Sequence, residues 1–445
     1  MRTIKPLLTA TLALQALGAV GALSAISAFA AHANGADGPQ QLHLAEAVKL
    51  SALAIPVSIA RLDAAIAQAG LGAQRATLLP QLSFTANATR LREYFPQFNG
   101  DPGAIGPITE LDARLRVGQA LIDLDACNRV SAAQSRMAVA EATTALALED
   151  AAARAGEAYL QLAQAQALIE VRTLDLQLAR ELLGLAKAQV EAGTAEQITQ
   201  TREESRVADQ VAALTAARGA VSEDQITLAR ALNLDPATAL IAADALSENL
   251  GAANVPADVA AATQAAHRTR PELKVSLETL AAIEADRRAA RGARLPKLSA
   301  FADGGRTGPT PGNTITTWEA GLALTVPLLD RSRDDEQAAR LRVEQQALLL
   351  KDLGNQIDAE VRQSAVALEN AKALLTATLE SRRLAELEVS QARARFASGV
   401  AGNLELVDAQ NTLTSAREQV LSAQQAAALA QVRLARAVGV ATTIK

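Results

Sequence analysis

Leu79-Pro80-Gln81-Leu82-Ser83 returns 216 residues later as Leu295-Pro296-Lys297-Leu298-Ser299. Around this pair three other landmarks recur in the same order. Pro56 matches Pro271 at an offset of 215, each ahead of a helical stretch. Leu121-Ile122-Asp123 matches Leu328-Leu329-Asp330 at 207, and Glu191-Ala192-Gly193-Thr194 matches Ala397-Ser398-Gly399-Val400 at 206. Ordered self-similarity at a nearly constant period is the mark of a duplicated unit. The first copy is expected over 41–250, with strands at about 80–122 and a tip turn near 193. The second is expected over 251–440, with strands at about 296–328 and a tip turn near 399, leaving 441–445 as a short tail.

Each copy reads helix, strand, strand, long helix, turn, long helix. After Asp123 no proline appears until Pro236, and only Gly156 and Gly184 interrupt the run before Gly193. After Asp330 only Gly354 precedes Gly399. Runs of roughly 65–70 residues make helices about 100 Å long, which must lie against other helices to be stable. Asp123 and either Asp330 or Ser332 are placed to cap them, and Asp334, Asp335 and Glu336 favour the first turn.

Between the helices the period changes from 3.6 to 2. Leu82, Phe84, Ala86 and Ala88 alternate with Ser83, Thr85, Asn87 and Thr89. Leu111, Ala113, Leu115 and Val117 alternate with Glu110, Asp112, Arg114 and Arg116, and a similar alternation runs from Trp318 to Val326. Strands with one apolar and one polar face are what a membrane barrel wall requires. In the strand from Leu298, Phe301 falls on the polar side. Pro, Gly and Asn mark loops at Phe98 to Pro107 and Gly304 to Asn313. Six of the eight aromatics beyond Phe29 lie in these segments, as an interfacial girdle would place them. Four strands cannot close a barrel, and an open edge in lipid leaves backbone groups unpaired. One chain is therefore insufficient to span the membrane.

Composition supports this. Hydrophobic residues make up 49% of the 445 residues but aromatics only 2%, so the apolar content is largely helix-forming alanine. The formal charge of −5, with no basic patch, argues against nucleic acid as a partner. Arg2 and Lys5, an apolar run from Leu7 to Phe29 and Ala28-Phe29-Ala30 predict a signal peptide over 1–30. Cleavage after Ala33 fits equally, at Ala31-His32-Ala33. No later stretch is expected to form a transmembrane helix. The single cysteine, Cys127, excludes an intrachain disulfide and lies far from the processing site, where a lipid-bearing cysteine would stand.

No catalytic constellation is evident: HExxH, CxxC, GxxxxGK and GxSxG are all absent. Gly304-Gly305-Arg306-Thr307-Gly308 follows a strand, opens no helix and reads as a loop. His43 and His267 lack a second ligand at helical spacing, so neither a metal nor a cofactor is expected.

Arg270-Pro271-Glu272-Leu273, Arg294-Leu295-Pro296-Lys297-Leu298, Val326-Pro327-Leu328-Leu329 and the stretch Gly399 to Gln410, in this duplicated frame, resemble the TolC family of outer-membrane efflux and secretion proteins. The resemblance implies an α+β membrane protein, mostly α. Three protomers would each give four strands to a twelve-stranded β-barrel, continued by a long periplasmic α-helical barrel. It also implies a periplasmic adaptor (membrane fusion) protein and an inner-membrane pump or ABC transporter as partners, in tripartite efflux or type I secretion. The turns at Gly193-Thr194 and Gly399-Val400 would be the adaptor-docking tips. Glu405 and Asp408, at i,i+3 on one helix face, would form acidic rings at the pore constriction. The first copy departs here, with Thr199 and Arg202 at the equivalent positions. Arg202 is a candidate to pair with a carboxylate across the tip and hold the duct shut. The competing reading is a periplasmic coiled-coil adaptor or scaffold without a channel, which the alternating strand pairs do not fit.

Overall fold

The computed structural model describes residues 40–95, 103–193, 196–244, 255–256, 258–328, 332–397 and 403–444. The expected signal peptide lies outside the described residues, as do Phe98, Thr194, Asp330, Gly399 and Val400. The chain divides into two compact units, Met1–Glu46 with Ala158–Leu246 and Ala47–Glu157 with Ser247–Lys445.

The chain enters through strand β1 (Gln40–Leu42) and helices α1 (Leu44–Leu50) and α2 (Ile55–Ala76). Strands β2 (Gln81–Phe95) and β3 (Gly103–Ile122) follow, then helices α3 (Leu124–Glu191) and α4 (Gln197–Ala231). After strand β4 (Leu240–Ala242) come α5 (Val259–Thr269), α6 (Pro271–Gly292), β5 (Lys297–Thr310) and β6 (Asn313–Thr325). Helices α7 (Ser332–Ala397) and α8 (Asn403–Val438) close the chain. Helix–strand–strand–long helix–helix thus occurs twice. The long helices hold 68 and 66 residues, and α7 alone makes about 100 Å at 1.5 Å per residue.

The unit containing β2 is built around an antiparallel sheet in the order β2-β3-β5-β6. Its register sorts side chains by face. Leu82 lies opposite Val117, Phe84 opposite Leu115, Ala302 opposite Ala320 and Gly304 opposite Trp318 on one face. Arg114, Arg116, Asp112, Asp303, Thr307 and Thr317 share the other. The apolar face points outward: Leu82, Phe84, Trp318 and Leu322 are 66%, 70%, 78% and 68% exposed. Phe301 does fall on the polar side, where its ring lies over Gly321, and a Cβ there would meet Cζ at 3.0 Å.

Two loop expectations are corrected. Gly103 to Pro107 belongs to β3, and Gly304 to Gly308 belongs to β5, which runs on to Thr310. Glycine normally weakens a strand, but here it admits close approach. A Cβ at Gly305 would collide with the Ala113 carbonyl, and one at Gly308 with the Asn313 carbonyl. These glycines let neighbouring strands pass where a side chain would separate them.

The membrane-helix expectation is corrected too. Leu44–Ala76 is, by length and composition, apolar enough to cross a membrane. Its run is not one helix, because a 3-10 turn at Ser51–Leu53 and Pro56 break it, and Val57 packs with Ala54 and Ala151. Alanine and isoleucine raise its apolar average although Arg61 and Asp63 sit within it.

Asp123 caps α3 as expected, its Oδ1 accepting from the Ala126 N–H at 3.0 Å. Small residues let the helices approach closely. Ala371 and Leu375 of α7 pack against Ala423, Ala427 and Ala430 of α8. At the far end of that pair the Arg270-Pro271-Glu272 motif acts as a lock. Pro271 opens α6, and Glu272 accepts from Arg270 at 2.9 Å and Arg436 at 2.7 Å. Burial tends to raise the Glu272 pKa, but these two guanidiniums outweigh it and hold the carboxyl at about 2. Gly439, at φ +82, fits against Arg270, whose backbone a Cβ would meet at 3.1 Å.

The other unit carries a smaller clasp. Strands β1 and β4 pair in parallel. The Tyr159 hydroxyl donates to Asp244 Oδ2 at 2.9 Å and accepts from the Asp244 N–H at 3.0 Å. His43 Nδ1 lies 2.7 Å from Asp244 Oδ1.

Candidate pore and gate residues

At the first tip, Gly193 adopts φ +71 and its N–H donates to the Val190 carbonyl at 3.0 Å. A left-handed residue just past the end of α3 is the standard way to stop a helix, and glycine takes it at no steric cost. Helix α4 then starts from an extended Glu196. The two helices of this hairpin are tied by Lys187 and Glu204, 3.9 Å apart, with Gln200 donating to Glu204 at 2.9 Å. Thr199 is half-buried. Arg202 is exposed and has no carboxylate partner among the described residues of its own hairpin.

The second hairpin is built differently. Leu406, Ala409 and Leu413 form the buried stripe of α8, at i, i+3 and i+7. Glu405 and Asp408 lie off that stripe and both are exposed. They are not equivalent. Glu405 pairs with Arg395 of α7 at 3.1 Å, across the hairpin, while Asp408 has no basic partner among the described residues. Glu405 is thus held by a cation of the facing helix, and Asp408 has none among the described residues. The sequence reading missed Arg395 and Lys187. Their only sequence signal is a cation in the last turns before each tip, and pairing them with Glu405 and Glu204 requires the hairpin register.

A second polar array lies on the polar face of the sheet. Arg114 donates from Nη1 to Asp303 at 2.9 Å, from Nε to Asp112 at 2.8 Å and from Nη2 to Thr317 at 3.2 Å. Thr307 donates to Asp112, and Arg116 reaches Asp303 at 3.5 Å. The Asp303 side chain is 1% exposed, yet both of its oxygens are satisfied. The network ties three strands together and lines this face with fixed charge. The sequence reading placed Asp112, Arg114 and Arg116 on the polar side and did not single out Asp303, whose partners lie on another strand about 190 residues away.

The sheet thus carries a charged face on one side and an exposed apolar face on the other. Among the described residues, no group of His, Cys, Asp and Glu is placed to hold a metal ion.

Comparison with known proteins agrees with this geometry. The family model described as outer membrane efflux protein matches residues 44–234 and 262–440. The pyoverdine export outer membrane protein OpmQ of Pseudomonas putida is 26% identical over 304 residues, which is 64% of this chain and 60% of that protein's own length. The Campylobacter jejuni CmeC outer membrane channel superimposes with a TM-score of 0.79 at 16% identity, covering 89% of this chain and 86% of that one. The open-state MtrE outer membrane channel of Neisseria gonorrhoeae superimposes at 0.76 and 20% identity, covering 89% and 88%. These two likenesses concern the fold. Because the family match runs through most of the chain on both sides of β4, the chain belongs to the outer membrane efflux protein family and is a protein of the outer membrane.

Proposed function

We propose that the chain is one protomer of a passive export duct through the outer membrane, serving a tripartite efflux or type I secretion system. The observation that carries this is the four-stranded sheet. Its large apolar side chains stand exposed on one face, its charges are gathered on the other, and β2 and β6 are its two ends. An apolar wall with open edges is stable in lipid only when copies join edge to edge. Three protomers would supply twelve strands, with the long helices continuing as a periplasmic barrel. A second apolar stripe supports assembly: Ile55, Ile59, Leu62 and Ile66 lie on one side of α2 and are exposed, while Val57 and Ala60 are buried.

In this reading residues 1–30 direct export and are removed after Ala30 or Ala33, and 41–250 and 251–440 are the two copies of one unit. Gly193-Thr194 and Gly399-Val400 form the tips that meet a periplasmic adaptor, which couples the duct to an inner-membrane pump or ABC transporter. Asp408, repeated in each protomer, supplies the acidic ring of the constriction, and Glu405 contributes less because Arg395 holds it. Thr199 and Arg202 stand at the equivalent positions of the first copy, where Arg202 pairs with a carboxylate across the tip and holds the duct shut. The duct conducts its cargo without bond chemistry. Membrane fractions run unheated in SDS test the assembly: a band near three protomer masses, collapsing on boiling, is expected. An elongated soluble monomer would overturn the proposal in favour of a scaffold.

A further inference from the structure

Resting on the outer-membrane reading, we infer that the end of α6 carries a binding site for anionic glycerophospholipid headgroups, built on Arg287, Arg288 and Arg291. Against the expectation of no basic patch, the segment Arg287 to Lys297 holds five cations and no acid, in a chain of net charge −5. Two of the five are satisfied internally: Arg294 pairs with Glu336 at 2.7 Å, and Lys297 with Asp125 at 3.1 Å. Arg287, Arg288 and Arg291 are exposed and have no carboxylate partner among the described residues.

Their side of the molecule follows from the contacts. Asp286, Ala289, Ala290 and Ala293 line a cleft with Arg129, Arg136 and Arg342. That cleft belongs to the polar face of the sheet. Lys297 shares that face with Asp303, and it connects through Asp125 to Arg129 at 2.7 Å. At about 100° per residue, Arg288 and Arg291 lie on the opposite side of α6 from the cleft-lining stripe, and Arg287 lies between. They therefore stand on the side of the exposed apolar face, to which Leu324 belongs by register, and Leu295 and Val326 at the same end of the sheet are exposed as well. A cationic band under an apolar band matches the boundary between headgroups and acyl chains. Guanidinium suits this position because it binds phosphate oxygens in a bidentate manner. At the 216-residue offset the first copy has Leu71, Gly72 and Arg75, so the cluster belongs to the second copy.

The test compares purified wild type with Arg287→Gln/Arg288→Gln/Arg291→Gln, both reconstituted in nanodiscs of phosphatidylethanolamine with a minor share of phosphatidylglycerol and cardiolipin. Lipid retained after a detergent wash is measured by native mass spectrometry. Wild type is expected to be enriched in the anionic lipids over bulk, and each guanidinium removed to lower the enrichment about fivefold. The triple lysine variant should keep most of it, and Arg342→Gln on the cleft side should keep all of it. Bulk composition in wild type, equal retention in the glutamine variant, loss in Arg342→Gln, or retained lipid A in place of phospholipid would each overturn the site. Conductance in a purely zwitterionic bilayer, recorded on the same preparations, separates failure of the site from failure of the channel reading.

Discussion

On one face of the four-stranded sheet Trp318 and Leu322 stand more than two-thirds exposed. On the other face Asp303 is 1% exposed and shared between Arg114 and Arg116. The same strands supply both faces, alternating residue by residue. A soluble sheet hides its apolar face and wets its polar one, whereas here the large apolar groups are exposed and Asp303 is covered by its neighbours. That inversion makes sense when the outer solvent is hydrocarbon and the charges line the inside of a closed wall.

The contrast is most sharply broken at Asp303. Asp303→Ala removes the buried carboxylate shared by Arg114 and Arg116 and should give the largest loss of stability in the sheet. Guanidinium denaturation of the reconstituted protein measures the loss, and Asp303→Asn should recover part of it. Next in size is a charge on the outer face. Leu322→Arg should destabilise the inserted protein by about 2–4 kcal/mol, whereas Asn87→Arg, on the polar face opposite Asp112, should change it by less than about 1 kcal/mol. Similar costs at the two positions would mean that the faces do not see different solvents.

The smallest effect is expected where water reaches a polar pair, at His43 and Asp244 of the other unit. The hydrogen bond to Asp244, followed by its negative charge, raises the His43 pKa above its usual 6.5. Burial works to raise the Asp244 pKa, but the contacts from His43, the Leu44 N–H and Tyr159 leave it below 3.8. A raised histidine stabilises fully below its unfolded pKa and loses that contribution as pH rises through the folded value. A depressed aspartate stabilises above its unfolded pKa and loses that contribution as pH falls through its folded value. The clasp should therefore be strongest between the two unfolded pKa values, from about pH 4 to 6.5. NMR titration should place His43 above 6.5, and His43→Gln should remove the alkaline limb. A His43 titrating below 6.5 would contradict the contact.

How much of this the sequence discloses depends on the range of the interaction. The long helices were legible because they need only local information, the absence of proline and the rarity of glycine after Asp123 and Asp330. The faces of β2 and β3 were legible because alternation is local as well. Gly304 to Gly308 misled, since glycine signals a turn unless a neighbouring strand presses against it, and that neighbour lies about 190 residues away in the chain. Strands β1 and β4, three residues each, are too short to show alternation and pair across 200 residues. At the candidate gate, the i,i+3 spacing of Glu405 and Asp408 was visible. Their inequality was not, because it depends on where the return of the hairpin sets Arg395.

The central claim, that copies of this chain form a channel narrowed by acid at its helical end, is tested most directly by single-channel recording in a planar bilayer. Wild type is compared with Glu405→Ala/Asp408→Ala and with each single variant. The account predicts a small, cation-selective conductance that loses its selectivity in the double variant. Asp408→Ala should account for most of that loss, and Glu405→Ala for the smaller part. No insertion, or a selectivity unchanged by both substitutions, would contradict it.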